Sequence, residues 1–569
     1  MGKFLRVNTN TKSIVFEEAK EEYTMFGGRA LIARLLNDEV DPKCDALGPD
    51  NKLIVCGGLL NGTSFPCTGR LSVGGKSPLT GGIKEANSGG TAGQMLARLD
   101  LKAIIVEDKP ANNELFILKI AKDKADLLPA DSYAGMNTYA LTERLHEEFG
   151  AKVGLILIGV AGEREYRSAS IQVTDMEGRP CRAAARGGLG AVMGSKGIKA
   201  IVLDATGPAP VEYADRAKFT TATKNFVAAA KQDPVGGQLF PTLGTAGLVN
   251  MLNGLGVLPT LNFSDGRWDK AENISGEKLT EIQKTRGGSN GHRCMPGCTI
   301  SCSNIVNDEN GNYLTAGFEY ETIALNGSNL GIDSLDAIAM IDRLCDDLGI
   351  DTIEMGGILG VCMEAGKIEF GDSEGAINLI QEMNEGTELG RIIANGAKYA
   401  GDYFGVKRIP TVKGQTMAGY DPRGLKGIGV TYATSPMGAD HTAGNPIGNP
   451  TVDPYKKEGQ VEVSAFLQAF MATCDSLGLC MQIYMPSQDP ANLALLLDLM
   501  AGRFGGEWDA DKLYALGKQC IALELAFNKG AGFTAKDDRL PEFMYSETLP
   551  STESVFDITD EEMTKALPL

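Results

Sequence analysis

The pattern of hydrophobic and polar residues divides the chain into a β-rich beginning and a longer helical remainder. Up to about residue 205, short runs of β-branched or aliphatic residues alternate with glycine-rich turns, which is typical of strands. The proline-marked segment 207–211 ends this pattern. The runs predict strands at 5–8, 13–17, 52–56, 102–107, 114–121, 153–160, 168–173 and 198–203.

Beyond that segment the apolar positions recur three to four residues apart, which predicts amphipathic helices. Two of them, 336–349 and 464–478, each carry one apolar stripe and each end at a glycine, a natural stop for a helix. We therefore expect an α+β fold. An N-terminal β-rich base domain (1–207) would be followed by two mostly α-helical domains (208–412 and 413–569).

The two helices end in the same sequence pattern, D-x-x-G-[IL]-[DC]. The first runs from Asp346 to Asp351 and the second from Asp475 to Cys480. An acid one turn before a glycine stop presents its carboxylate, a hydrogen-bond acceptor, to whatever caps the helix end. The sixth position, Asp in one and Cys in the other, suggests two related halves of which one donates a thiolate. Two coincidental glycine stops are the alternative.

Two segments of the β-rich part are unusually rich in glycine, 67–90 with seven glycines and 183–196. Backbone N–H groups of such segments can approach an anion closely, so we interpret both as cradles for phosphate or pyrophosphate. Neither has the spacing of a P-loop or of a dinucleotide-binding turn, and plain hairpin turns are the alternative. Four basic side chains lie in them: Arg70, Lys76, Lys84 and Arg186.

Composition excludes several function classes. The net charge of −19 would repel the phosphates of a nucleic acid. The longest apolar stretch, 153–161, is far shorter than the ~20 residues that cross a bilayer, so no membrane span is expected. The chain begins without a signal-peptide pattern and has 12 cysteines, so we expect a cytoplasmic protein whose thiols serve metals or cores.

Three of the cysteines, Cys294, Cys298 and Cys302, lie within nine residues. An intervening proline and glycine prevent a regular helix, so the three sulfurs can face one point. Cys480, at the second helix end, is the candidate fourth ligand. A structural zinc site usually has two Cys-x-x-Cys pairs, and the second pair is missing here. The arrangement favours a [4Fe–4S] cluster, with chance crowding of buried cysteines as the alternative.

Few residues are candidates for acid–base chemistry. His146 lies in a charged helical stretch and is expected at the surface, whereas His292 precedes the cysteines and could be structural. His441, in a loop of the helical part, is the histidine that we would test for catalysis. Glu319 and Glu321 follow the cysteines, and alternation along an extended segment would place both on one face.

Taken together, these motifs resemble the aldehyde ferredoxin oxidoreductases, tungsten-dependent enzymes with a bis-pterin cofactor. The resemblance covers essentially the whole chain, and no single motif would specify the family. It is carried by 27–29 (GGR), Arg70, 76–80 (KSPLT), 87–90 (NSGG), 186–190 (RGGLG), the cysteine triplet, 319–321 (EYE) and both helix ends.

The resemblance implies a role for each motif. Asp346 and Asp475 would accept hydrogen bonds from the amino groups of the two pterins, and Asp351 would stand in for the fourth ligand on the side without a cluster. Asn87 and a residue near Ala185 would offer backbone oxygens to a Mg²⁺ ion that joins the pterin phosphates. The cluster ligands would be Cys294, Cys298, Cys302 and Cys480. The other cofactor-binding residues would be Arg70, Lys76, Gly89, Arg186, Gly187, Gly188, Gly349, Gly478 and Leu479.

The family also implies an architecture and an activity. The N-terminal domain would be a base of two related sheets that carries the cofactor. An aldehyde would be oxidised to a carboxylic acid at tungsten or molybdenum, and the electrons would leave singly through the cluster to ferredoxin or an iron–sulfur subunit. Glu321, with Glu319 as the competing choice, would be the acid–base residue, and His441 would polarise the carbonyl. A homodimer is compatible with this picture.

One departure from the family pattern concerns the cysteines. The usual spacing is C-x-x-C-x-x-x-C, and here the gap between Cys294 and Cys298 is one residue longer. A loop that contains proline and glycine can absorb the extra residue. The change keeps a second activity open, the low-potential reduction of carboxylic acids or aryl-CoA thioesters with a partner subunit. A non-catalytic cluster or pterin storage protein is the third hypothesis.

Overall fold

The computed structural model describes residues 2–483, 487 and 489–566, and its N-terminal part contains two six-stranded sheets. The first sheet has the spatial order 2-1-6-3-4-5 and the second 11-10-9-12-7-8. The strands of the first are β1 (Lys3–Asn8), β2 (Ser13–Glu18), β3 (Leu53–Gly57), β4 (Leu71–Lys76), β5 (Ile83–Ser88) and β6 (Leu101–Glu107). Those of the second are β7 (Phe116–Ala121), β8 (Lys124–Pro129), β9 (Gly154–Leu157), β10 (Ile171–Val173), β11 (Arg182–Ala184) and β12 (Ile198–Leu203).

The two sheets have the same topology. When the second is read from β8 to β11, each strand has its counterpart in the first, and in both sheets the first and last strands in sequence are parallel neighbours. Both parallel pairs even carry a bulge at the same place, which leaves Lys102 and Lys199 out of register. The prediction of an α+β fold whose base consists of two related sheets is therefore confirmed.

The strand residues alternate between two hydrophobic environments, as a period of two requires. In β1, Leu5 and Val7 face a core that both sheets share, whereas Phe4 packs on the other side against a helix. The helices of this part are α1 (Gly28–Glu39), α2 (Ala92–Arg98), α3 (Thr138–Phe149), α4 (Val160–Glu163) and α5 (Leu189–Ser195). The two sheets and their helices thus form one layered base.

The glycine-rich segments are more regular than the sequence suggested. Most of 67–90 forms the hairpin of β4 and β5, and 183–196 contains the end of β11 and all of α5. Glycine is needed here for close packing, since a Cβ atom on Gly74 would lie 2.3 Å from Ile32 of α1. Glycine density therefore marked a strand that lies directly beneath a helix, not an open loop.

The remainder of the chain is mostly helical. Among the described residues, no helix combines the length and apolarity that a bilayer span needs. The helices are α6 (Arg216–Ala230), α7 (Phe240–Leu243), α8 (Leu248–Leu255), α9 (Gly276–Arg286), α10 (Tyr320–Asn326), α11 (Leu335–Leu348), α12 (Thr352–Glu364), α13 (Ser373–Glu385), α14 (Glu388–Ile393), α15 (Ala397–Phe404), α16 (Lys426–Thr434), α17 (Gln460–Leu477), α18 (Pro490–Phe504), α19 (Ala510–Ala531), α20 (Phe543–Ser546) and α21 (Asp560–Met563).

Two small β elements interrupt the helices. The strands β13 (Gly288–His292), β14 (Ser303–Asn307) and β15 (Tyr313–Ala316) form a sheet, and the cysteine triplet lies in the loop between β13 and β14. The hairpin of β16 (Thr411–Val412) and β17 (Gln415–Thr416) spans the predicted boundary at 412/413. The division of the helical part into two domains stays a prediction.

The segment around the two candidate glutamates differs from its prediction. It is not extended, because α10 begins at Tyr320 and Glu319 occupies the position before the helix. The N–H of Tyr320 donates to Thr245 Oγ1, 2.9 Å away, and so satisfies one of the free donors at the helix start. A helix of seven residues with six of them buried has no amphipathic pattern that the sequence could reveal.

Candidate active site

A cavity of about 350 Å³ lies where the base sheets meet the helical part, and most of the predicted site residues line it. They come from both sheets, from the cysteine loop, from the start of α10 and from the ends of α11 and α17. The predicted residues in its wall are Arg70, Asn87, Gly89, Ala185, Arg186, Cys294, Cys302, Glu319, Glu321, Asp346, Asp351, His441, Asp475 and Cys480.

The four predicted cluster thiols lie near one another, and three of them, Cys294, Cys302 and Cys480, line this cavity. Cys298 is hydrogen-bonded to Cys294, and the charges of Cys294, Cys298 and Cys480 all act on Cys302. Burial raises the pKa of the Cys480 thiol to about 12 against the opposing effect of Arg70. Without a metal these thiols stay protonated at neutral pH. A bound metal would deprotonate them.

The spacing of the thiols bears on whether they could all bind one metal ion. One zinc ion holds each thiolate sulfur about 2.3 Å away, so its ligand atoms lie about 4 Å from one another. Among the described residues, no three thiol sulfurs lie within 4.8 Å of one another. The thiols are therefore not arranged around one zinc ion, and the [4Fe–4S] cluster stays a prediction.

A fifth thiol lies beside this set. Cys67 is fully buried, and its Sγ accepts a hydrogen bond from the N–H of Thr299 at 3.4 Å. Its backbone N–H donates to the carbonyl of Gly297, in the gap that is one residue longer than in the family pattern, and its carbonyl accepts from the N–H of Cys480 at 2.9 Å. Cys67 therefore connects the cysteine loop to the remote cysteine. Its position 227 residues before the triplet gave no sequence signal.

The two repeated helix ends reach the cavity in equivalent ways. Gly349 and Gly478 both adopt left-handed conformations, with φ of 79° and 78°. The residue after each forms one isolated antiparallel bridge to the base, Ile350 to Ala169 just before β10 and Leu479 to Thr68 just before β4. The pattern found in the sequence thus corresponds to two matched docking points on the two halves of the base.

The acids of these helix ends face different electrostatic surroundings. Burial raises the pKa of Asp475 to about 6, and the neighbouring Arg29, 3.3 Å away, limits the rise. Burial raises the pKa of Asp346 well above its usual range, and the neighbouring Asp342 adds to the effect. Both side chains are buried polar groups that line a cavity, and such groups need a hydrogen-bonding partner there.

The sixth positions of the motif differ as the sequence suggested. Cys480 joins the thiols, whereas Asp351 caps the start of α12 and accepts hydrogen bonds from the N–H groups of Ile353 and Glu354 at 3.1 Å each. Asp351 also forms an ion pair with Arg186, with 3.3 Å between Nε and Oδ2. Its two oxygens are therefore held by protein donors.

A fully buried lysine adds positive charge behind Arg186. Lys84 donates to Asp440 at 3.1 Å, and Arg186 lies 4.0 Å from the same carboxylate. Burial opposes ionisation of Asp440, but these two cations hold its pKa far below its usual range. The position next to His441 is therefore a permanent carboxylate.

Arg70 lies between Asn87 of β5 and the cysteine thiols. Its guanidinium donates to the side-chain oxygen of Asn87 and, at 3.2 Å, to the backbone oxygen of the same residue. That backbone oxygen is the group that the family resemblance assigned to Mg²⁺. The magnesium role of Asn87 and Ala185 stays a prediction.

Glu321 and His441 form a pair inside the cavity. Glu321 Oε2 accepts a hydrogen bond from the N–H of Gly419 at 2.6 Å, which fixes the carboxylate. Its Oε1 lies 3.4 Å from His441 Nε2, outside hydrogen-bond geometry. Within the described part of the chain, neither Glu321 Oε1 nor His441 Nδ1 has a hydrogen-bond partner. Unpartnered buried acceptors of this kind are expected where a ligand completes the site.

Glu319 lies nearer to the thiols. Its Oε2 accepts from the hydroxyl of Thr245 at 2.7 Å, and its Oε1 lies 3.7 Å from Arg182. Its charge contributes to the raised pKa of Cys302, after the larger effect of burial. Glu319 is thus already engaged by protein groups, whereas Glu321 keeps one oxygen free.

Some predicted residues lie outside the cavity wall. Lys76 donates to the carbonyls of Pro42 and Cys44, both at 2.6 Å, and so supports the base from behind. The expected surface residue His146 is half-buried, with its ring near Gly178. The other predicted residues outside the wall are Gly187, Gly188, Cys298, Gly349, Gly478 and Leu479.

The structure adds titratable groups that the sequence did not reveal. Burial raises the pKa of Glu85 to about 8 and that of Asp342 to about 7, and both line the cavity. Arg182 reaches the same region and donates to Ser303 at 2.8 Å. Asp342 lies four residues before Asp346 on one helix, so its spacing was a usable signal. For Glu85 and Arg182 the sequence contained no comparable signal.

Two protein-family models together match most of the chain. Residues 4–205 match the model described as "Aldehyde ferredoxin oxidoreductase, N-terminal domain", and residues 221–568 match "Aldehyde ferredoxin oxidoreductase, domains 2 & 3". The chain belongs to the aldehyde ferredoxin oxidoreductase family. Family membership makes it an oxidoreductase.

Individual relatives agree with this assignment. The chain is 34% identical to the tungsten-containing aldehyde ferredoxin oxidoreductase of Pyrococcus furiosus and 33% identical to that of Thermococcus kodakarensis, covering 96% of this chain and 92% of each relative. It is 28% identical to the P. furiosus protein named "Aliphatic sulfonate oxidoreductase, WOR-like subunit", over 78% of this chain and 75% of that one.

A solved structure supports the fold. The complex titled "Active site complex BamBC of Benzoyl Coenzyme A reductase in complex with 1,5 Dienoyl-CoA" superposes with a TM-score of 0.80, covering 97% of this chain and 92% of the other. The sequence identity is 20%, so this likeness concerns the fold alone.

Proposed function

We propose that this chain oxidises an aldehyde to a carboxylic acid with a tungsten (or molybdenum) bis-pterin cofactor and a [4Fe–4S] cluster, and passes the electrons to ferredoxin or an iron–sulfur subunit. The observation that carries the proposal is the Glu321–His441 pair in the same cavity as three of the four predicted cluster cysteines, Cys294, Cys302 and Cys480. Relatives named as tungsten-containing aldehyde ferredoxin oxidoreductases support the substrate class.

The donor set of the cavity fits such a cofactor. Asp346 and Asp475 would accept hydrogen bonds from pterin amino groups, and Arg70 and Arg186 supply positive charge for phosphates. Cys294, Cys298, Cys302 and Cys480 would hold the cluster. The cofactor supplies two-electron redox chemistry when bound.

The protein's own groups would handle the proton and the carbonyl oxygen. Glu321 is held through Oε2 by the N–H of Gly419, so its free Oε1 can take a proton from a water molecule next to the substrate. His441 Nε2, 3.4 Å away, can donate to the carbonyl oxygen of the aldehyde and stabilise the charge that develops there. The surrounding tyrosines help to exclude water, since Tyr320 is fully buried and Tyr420 nearly so.

Arg70 connects the substrate side to the cluster side. Its guanidinium contacts Asn87, and its charge acts on both Cys294 and Cys480. A cation at this place would stabilise the thiolates and any anionic group bound beside Asn87. The electron route would therefore leave the cavity through the cysteine end, towards a separate electron-accepting protein.

A test of the activity is anaerobic turnover with an aldehyde panel and a viologen dye, together with tungsten, molybdenum and iron analysis. We expect dye reduction with at least one aldehyde. Failure with all aldehydes combined with reduction of a carboxylic acid or an aryl-CoA thioester by a low-potential donor would favour the reductase. Loaded metals with neither activity would favour storage.

The acid–base assignment is tested by Glu321→Gln, which keeps the shape of the side chain and removes its basicity. We expect turnover to fall ~10²–10⁴-fold while tungsten and iron contents stay normal. Glu319→Gln is the matched control and should lose much less, since its carboxylate is engaged by Thr245. His441→Asn should give a smaller loss than Glu321→Gln. If Glu319→Gln abolishes turnover with metals retained and Glu321→Gln does not, the assignment is wrong by two residues.

A further inference from the structure

A second cavity, of about 280 Å³, lies on the first sheet and is lined by a different set of residues from the candidate active site. It is bounded by the start of β1, the end of β3, the start of β6, the linker around residue 211 and the end of α18. Lys102 and Arg503 both line it, and none of its lining residues lines the first cavity. The second sheet has an equivalent place, where the counterpart of Lys102 is Lys199.

Lys102 lacks the carboxylate partner that its counterpart in the second sheet has among the described residues. Lys199 occupies the same bulge in the second sheet, and there its Nζ forms an ion pair with Glu163 and donates to the carbonyl of Met136 at 2.7 Å. In the part of the chain that the structure describes, Lys102 donates only to the carbonyl of Thr24, at a long 3.4 Å. No carboxylate of the described chain lies within 4.0 Å of its amine.

The backbone explains why the first sheet has no such acid. Glu163 lies four residues after Gly159, and the position four residues after the equivalent Gly58 is Gly62. Gly62 has a φ of +82°, and a Cβ atom there would lie 2.7 Å from Ala209. A glutamate cannot replace it without strain, so this position of the first sheet cannot carry the acid that Glu163 provides in the second.

A second cation faces the same space. Arg503 donates through Nη1 to the carbonyl of Glu212, and its Nε is buried without a hydrogen-bond partner in the described part of the chain. No ion pair within 4.0 Å joins it to a carboxylate in that part. Its positive charge acts on Lys102 and disfavours the protonated amine. Two largely buried cations without an ion-pair partner are unfavourable.

We infer that this cavity binds a small oxyanion, a phosphate or a carboxylate, held between Lys102 and Arg503. The ligand would supply the negative charge that Glu163 supplies in the second sheet. Guanidinium and ammonium groups are the usual partners of such anions in proteins. The inference does not rest on the proposed function.

The other charged groups at the cavity do not replace this ligand. Asp100 and Glu212 also line it, but both are exposed, and neither is among the charges that act on Lys102. Glu212 acts electrostatically on Arg503 without forming an ion pair with it. Cys56 lies nearby, but burial raises the pKa of its thiol well above neutrality, so it stays uncharged. Burial lowers the pKa of Lys102 itself to about 8, so anion binding should weaken as the pH rises through that value.

The test is calorimetric titration of the whole chain with inorganic phosphate and, separately, with acetate, at pH 7 and constant ionic strength. We expect saturable binding of one equivalent of at least one of the two anions. Lys102→Gln and Arg503→Gln should each weaken it about 10- to 100-fold, because each removes a charge-assisted hydrogen bond. The tighter of the two anions identifies the ligand class.

Two further variants keep the test decisive. Lys119→Gln removes one charge from a half-buried lysine of the second sheet, outside the cavity, and should bind like the wild type. Ala97→Asp leaves both cations in place and adds a carboxylate to the cavity wall, so it should abolish binding. The inference is overturned if neither anion binds, if Lys102→Gln and Arg503→Gln bind normally, or if Lys119→Gln loses as much affinity as Lys102→Gln.

Discussion

The two repeated helix ends use the same backbone for two different purposes. α11 and α17 both stop at a left-handed glycine and both dock on the base through the following residue. On the α17 side the last motif residue is a thiol among thiols, whereas on the α11 side Asp351 is tied to Arg186 and to backbone donors. One duplicated support therefore carries a candidate cluster on one side only.

The acids of the two ends differ in a related way. On the α17 side, Arg29, the second residue of α1, is buried between Asp475 and Glu524. The second residue of α3, at the same place in the other half, is Tyr139, whose hydroxyl hydrogen-bonds that of Tyr313. The acid of the thiol side thus has a cation 3.3 Å away, whereas Asp346 has a second acid, Asp342, whose charge adds to the rise of its pKa. The two helix ends therefore share the geometry by which they dock on the base and differ in the charges that surround their acids.

The largest expected effect concerns the sixth motif position. Cys480→Ala should abolish the four-iron EPR signal of the reduced protein or convert it to a three-iron type, because a cluster ligand is removed. Asp351→Ala, the equivalent change on the other side, should leave about four iron atoms per protomer. An unchanged four-iron signal in Cys480→Ala would remove it from the ligand set.

The next effect concerns stability. Arg29→Ala should lower the free energy of unfolding by about 3–5 kcal/mol, because it leaves Glu524 and Asp475 buried without their cation. Tyr139→Phe, the matched change in the second half, removes one hydroxyl bond and should cost about 0.5–1.5 kcal/mol. Urea unfolding of both variants measures the difference. Equal losses of unfolding free energy would show that Arg29 and the Tyr139 hydroxyl contribute equally to stability.

A smaller effect is expected for cofactor content. Asp346→Asn and Asp475→Asn should each lower pterin and tungsten content, since each weakens one acceptor for a pterin amino group by roughly 1–3 kcal/mol. The two variants should lose similar amounts, because one acid would serve each pterin. Full loading in both would refute the pairing of one Asp with each pterin.

The smallest effect is the pH dependence of stability that Asp342 contributes on the α11 side. Burial raises the pKa of Asp342 to about 7, against an unfolded value near 4. Between these values the folded chain binds a proton that the unfolded chain has lost, so stability falls as the pH rises from about 4 to 7. For the cofactor-free protein, Asp342→Asn should reduce this fall by on the order of 1 kcal/mol. Urea midpoints at pH 5 and pH 7.5 measure it, and an identical fall in wild type and variant would contradict the expectation.

The sequence alone determined the features that depend on local pattern. Periodicity separated the β-rich base from the helical part, the glycine stops located both helix ends, and the cysteine spacing located the thiol loop. Each of these rests on residues that lie close together in the chain, so a short window contains the whole signal. The roles of the individual site residues and the split of the helical part stay predictions.

Only the tertiary structure decided which distant groups share an environment. The hairpin of β4 and β5 was hidden because its glycines serve close packing against α1, and α10 was hidden because nearly all of it is buried. Glu85, Arg182, Cys67 and the pair Lys102–Arg503 gain their chemistry from burial and from partners hundreds of residues away. Burial and the neighbouring charges set their protonation, and neither is a property of the residues next to them in the sequence.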